Sequence, residues 1–99
     1  MTITKIKDNG TLTVSLEGHL DTTTSPQLEA ELEHLLTEDV RVLQFDFAKL
    51  EYMSSAGIRV VMAAEDIMSG RGGMKLLHVG EEIMEIFEMT GLVDILCVE

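Results

Sequence analysis

The chain has little with which to cross-link itself, bind polyanions or span a bilayer. Cys97 is the only cysteine, so no internal disulfide can form, and a reducing compartment such as the cytosol is expected. Lysine and arginine total 7 against 18 aspartates and glutamates, a net charge of -11, which opposes contact with nucleic acid or an anionic membrane. A protein with a neutral or basic contact surface is the partner this charge favours. No run of apolar residues is long enough to insert in a membrane, and the opening residues MTITKIKDNG lack the apolar stretch of a signal peptide. The sequence therefore predicts a soluble, cytoplasmic protein.

Chemical signatures are equally sparse. His19, His34 and His78 have no metal-ligand spacing among themselves or with Cys97. There is no G-x-x-x-x-G-K-[ST] phosphate loop and no G-x-S-x-G nucleophile elbow, so no cofactor, metal, intrinsic nucleotide use or catalytic residue is expected, and the chain is not read as an enzyme. His19, Asp21 and Ser55 include the residue types of a hydrolase triad, but no feature suggests an oxyanion hole.

What is present is an ordinary globular composition, 45% hydrophobic and 25% charged over 99 residues, enough for one core and one domain spanning 1–99. Thr2 to Ile6 and Thr11 to Leu16 alternate polar and apolar around Asp8-Asn9-Gly10, which predicts a hairpin. Ser25 as N-cap and Pro26 at the first helical position open a helix to about Thr37, with Leu28, Leu32, Leu35 and Leu36 on one stripe. Val40 to Phe47 reads as a central strand with Leu43, Phe45 and Phe47 on one face, and Val42, Gln44 and Asp46 on the other. A second helix runs from about Ser55 through Ile58, Val61, Met62, Ile67 and Met68 to the glycines at 70, 72 and 73. Met74 to Val79 is a further strand, and Glu81 to Thr90 a third helix. Gly91 suits a left-handed helix end, and Val93 to Val98 forms a last short strand. The methionines at 53, 62, 68, 74, 84 and 89 are expected to fill the core.

The order β-β-α-β-α-β-α-β predicts an α/β fold: a mostly parallel central sheet of about five strands with three or more packed helices. Its organising stretch is Tyr52 to Met68. Ser54-Ser55-Ala56 opens the second helix directly after the most apolar strand. Ser54 suits an N-cap, while Ser55 would sit in the first turn, where free N–H groups and the helix dipole favour a phosphate. Ala56 and Gly57 are small, which leaves the hydroxyl open to a partner.

Three segments carry a resemblance. Gly18-His19-Leu20-Asp21 looks like the G-x-L-D loop of STAS domains in bacterial anti-sigma factor antagonists. Tyr52-Met53-Ser54-Ser55-Ala56-Gly57-Ile58 looks like that family's phosphorylation segment, and Phe87-Glu88-Met89-Thr90-Gly91-Leu92 resembles its F-x-x-[ST]-G-L turn. The resemblance implies that Ser55 is phosphorylated by an anti-sigma factor serine kinase and dephosphorylated by a PP2C-type phosphatase. Unphosphorylated protein would then capture the anti-sigma factor and release a sigma factor. Asp21, Ser54, Ser55, Ala56, Gly57 and Arg59 are the partner-binding residues it implies. Ser54 stands where the family usually has aspartate, Ala56 where it has serine or threonine, and Arg59 where a second glycine is frequent; these bear on which kinase is recognised. Asp21 and Asp46 could add negative charge near Ser55, or simply hydrogen-bond their own loops. The other reading of the resemblance is a STAS scaffold subunit of a transporter or signalling complex that is never phosphorylated.

Overall fold

A computed structural model describes residues 1–99. The predicted hairpin forms as β1 (Thr2–Asp8) and β2 (Thr11–Leu20), antiparallel, with Leu12, Val14 and Leu16 buried on one face. β3 (Val42–Met53) lies parallel to β2, and β4 (Met74–Leu77) parallel to β3, so the sheet runs β1-β2-β3-β4. Three helices, α1 (Ser25–Leu35), α2 (Ser55–Met68) and α3 (Glu81–Met89), follow β2, β3 and β4.

Successive right-handed crossovers that step in one direction put every helix on the same face. The side chains agree: Leu43, Phe45 and Phe47 of β3 share one core with Leu28 of α1, Val61 and Met68 of α2, and Phe87 of α3. Lys5, on the helix face of β1, reaches Glu31 of α1 at 2.9 Å. Gln44 and Asp46 lie on the opposite face of the sheet, which no helix covers.

The sheet has four strands rather than about five, and only β2, β3 and β4 run parallel. The expected last strand fails because Gly91, at φ 77°, turns the chain into a short 3-10 helix at Leu92–Asp94. That leaves Val98 as an isolated bridge to Leu76. β3, conversely, runs past Phe47 to Met53, since β2 stays paired with it through two register shifts up to Leu20. Helix α1 begins one residue earlier than expected, with Thr24 as the N-cap residue, and ends at Leu35. Met89 is 86% exposed, so it does not fill the core as expected of the methionines, and Ile67 of α2 is 48% exposed.

Candidate functional site

β2 and β3 end side by side, with Leu20 opposite Met53, so the residues that follow them meet at one rim of the sheet. Asp21 leads into α1 and Ser54 into α2. The Ser54 N–H donates to the Leu20 carbonyl at 2.8 Å, tying the two exits together. Gly57 faces inward, against the same residue. A Cβ there would lie 2.7 Å from Leu20 Cγ and 3.1 Å from the Leu20 carbonyl oxygen, so only glycine lets α2 approach this closely. Gly57 thus seats the helix and is itself buried, rather than lying in the outer surface beside the hydroxyl.

Ser55 is the first residue of α2 and is exposed. Ile58 donates to the Ser54 carbonyl at 3.0 Å, whereas the N–H groups of Ser55, Ala56 and Gly57 have no partner in the chain. Ser54 has the extended backbone of an N-cap, φ -90° and ψ 174°, but its side chain makes no capping bond. Its Oγ is instead buried without a hydrogen-bond partner. The expected cap is therefore present in the backbone alone, and the positive end of α2 stays uncompensated.

Asp21 has a different task. Its Oδ1 accepts from Thr23 Oγ1 at 2.7 Å, from the Thr23 N–H at 2.9 Å and from the Thr24 N–H at 3.0 Å. The Thr23 hydroxyl first, then the Thr24 and Thr23 N–H groups, stabilise the carboxylate and draw its pKa down to about 2. Asp21 is thus an ionised Asx-turn that shapes the start of α1, and it sits at the same rim as Ser55. Asp46 does not: it lies on β3 between Ser15 and Leu77, far back from Met53. Partial burial pushes its carboxyl up, but the Ala48 N–H and the His78 ring at 3.0 Å outweigh that and hold it below the usual range.

Arg59 is exposed, forms no ion pair, and lines a hollow of about 220 Å³ with Thr22 and Ala56, between the starts of α1 and α2. Being four residues after Ser55, it occupies the same helix face. Ser55 hydroxyl, His19 and Asp21 make no hydrogen bonds to one another; His19 instead faces Glu51 at 3.6 Å. Sequence reasoning missed the pairing of His19 with Tyr52, whose ring centroids are 6.2 Å apart at this rim. Tyr52 is half exposed, and its position in the strand pattern, one residue before the buried Met53, was the available signal.

Fold, loop and open helix start define a class. A family model described as "Mlab, STAS domain" matches residues 3–97, and the chain belongs to the STAS domain family, among the anti-sigma factor antagonists. A protein of Bordetella bronchiseptica described as "Putative anti-sigma factor antagonist BtrV" is 33% identical over 96 residues, covering 96% of this chain and 83% of that protein. The crystal structure of an anti-sigma factor antagonist from Mycobacterium paratuberculosis superposes with a TM-score of 0.88 at 22% identity, covering 98% of this chain and 83% of the other. The phosphorylated form of the Bacillus cell fate determinant SpoIIAA gives a TM-score of 0.77 at 20% identity, over 99% of this chain and 91% of the other. The resemblance read from the three sequence segments is borne out.

Proposed function

We propose that the chain is a non-catalytic binding module switched by phosphorylation of Ser55. Unmodified, it captures an anti-sigma factor that is also a serine kinase, and so frees a sigma factor in the cytoplasm. The kinase ends the capture by phosphorylating Ser55, and a PP2C-type phosphatase restores it. The observation that carries this reading is the exposed Ser55 hydroxyl at a helix start whose first N–H groups have no partner in the chain. A phosphate there meets donors and a positive dipole, so the fold accepts it.

The partner does not. A phosphate brings about -1.5 to -2 charges to a rim where Asp21 is already ionised. Desolvating that charge against a surface that had received a neutral hydroxyl opposes binding, and the affinity falls. That a SpoIIAA structure exists in a phosphorylated form supports the reading by similarity.

Titration calorimetry against a purified anti-sigma factor kinase from the same organism tests it. Ser55→Asp is expected to weaken binding by at least roughly tenfold, and Ser55→Ala to bind normally but accept no phosphate. Equal affinity for Ser55→Asp and the unmodified protein removes the switch and favours a scaffold.

A further inference from the structure

The two helices that start at the Ser55 rim run on with an apolar groove between them. Its floor is Leu32 and Leu36 of the α1 region with Val60 and Ile67 of α2, its volume is about 380 Å³, and Glu29 and Glu33 form its polar margin. Ile67 is 48% exposed there, among the most exposed large aliphatic side chains on the helix face. Glu29 and Glu33 are exposed and take part in no ion pair, unlike their neighbour Glu31, which Lys5 holds. The groove joins the hollow at Ala56 and Arg59 through Glu29 and Val60, which line both. A surface leading away from Ser55 therefore combines an apolar floor with two unpaired carboxylates.

We propose that this groove docks an amphipathic helix of the anti-sigma factor, apolar on the face it buries and lysine- or arginine-rich along its margins. The proposal rests on the function above and adds a second contact to it. A helix laid between two others inserts its apolar side chains as anchors, and its basic margin pairs with Glu29 and Glu33. Other occupants fit less well. A second copy of this chain would set its own Glu29 and Glu33 against the same glutamates. A small molecule would find no side-chain hydrogen-bond donor in the lining to orient it. An anionic bilayer is repelled by the same margin and by the net charge of -11.

The test uses the full chain and the purified anti-sigma factor that phosphorylates Ser55 with ATP. A photo-crosslinking amino acid replaces Tyr52 at the rim in one sample and Ala63, in the groove, in another. Both are expected to cross-link that protein, with the Ala63 probe mapping to a helical, basic, apolar-striped segment. Ile67→Glu should lower affinity roughly tenfold, the loss of one anchor. Glu29→Lys with Glu33→Lys should lower it several-fold and flatten its salt dependence. Both variants change exposed residues, and an unchanged melting transition separates lost docking from lost folding. Cross-linking from Tyr52 alone, with full affinity in the groove variants, overturns the groove while leaving the switch standing. Cross-linking of Ala63 to a second copy or to a different protein also overturns it. If no kinase modifies Ser55 and neither probe captures one, the function itself fails and the groove proposal falls with it.

Discussion

At the start of α1 every backbone donor is engaged, whereas at the start of α2 a set of donors is left free. Ser25 donates to the Asp21 carbonyl at 2.8 Å, Pro26 has no N–H, and Gln27 donates to the Thr24 carbonyl at 3.0 Å. The Asp21 carboxylate takes the N–H groups just before them. At α2, the N–H groups of Ser55, Ala56 and Gly57 are unpaired and the N-cap hydroxyl is turned away. α3 is also open, but it places Glu81 and Glu82 in its first turn and so compensates its own dipole. Only α2 combines open donors with a first turn that carries no acidic residue. Its start is held instead by packing, Gly57 against Leu20, which leaves the polar end available to a modification or a partner.

Disturbing that packing should have the largest effect. Leu20→Ala is expected to cost about 2 to 5 kcal/mol in urea unfolding, because Leu20 is fully buried and supports the α2 start. In that background Gly57→Ala should be milder than in the native chain, since the two side-chain carbons its Cβ would strike are gone and only the Leu20 carbonyl oxygen at 3.1 Å remains; additive costs would mean that the Leu20 side chain does not set the approach.

Next comes the closed helix. Thr24 Oγ1 accepts the Asp21 N–H at 2.8 Å and donates to the His19 carbonyl at 2.7 Å. Thr24→Val should therefore destabilise by about 1 to 2 kcal/mol, measured by thermal unfolding. A neutral result would show that α1 does not depend on this turn.

Protonating Asp21 gives a smaller, local change. Its folded pKa lies below the ordinary 3.8, so its contribution is present above that value and fades as pH falls toward about 2. Amide exchange at Thr23 and Thr24 should speed up across that window, and Asp21→Asn should remove the dependence on pH. Exchange that stays flat across the window in the native chain would deny Asp21 its capping role.

The smallest effect is expected at Ser54. An ordinary N-cap serine costs about 1 kcal/mol when lost, but this hydroxyl has no hydrogen bond to lose. Ser54→Ala should shift stability by less than about 0.5 kcal/mol. A full capping loss would mean that α2 is closed in solution, as α1 is.

Much of the fold was legible because its core is written in local periodicity. Leu12, Val14 and Leu16, then Leu43, Phe45 and Phe47, alternate as buried strands must, and all six are buried. The end of β3 was not legible: Ala48, Lys49 and Glu51 lack the strand pattern, and pairing with β2 carries the strand through them. The last strand was misread for the converse reason. Val93 to Val98 has strand composition, but the turn at Gly91 leaves only Val98 beside β4. At the site, the position of Ser55 followed from the serine pair and the resemblance. The inward role of Gly57 and the buried hydroxyl of Ser54 depend on where β2 ends, which no local pattern reports. Asp46 shared a residue type with Asp21 but not a rim, because strand register decides that.

The most direct test of the open helix start is the intact mass of this protein purified from its native host, before and after phosphatase treatment, with fragmentation to locate any modification. A single phosphate on Ser55, removed by the phosphatase, is the expected result. A chain that stays unmodified through growth and stress, or that carries its phosphate on Ser54 or elsewhere, would contradict it.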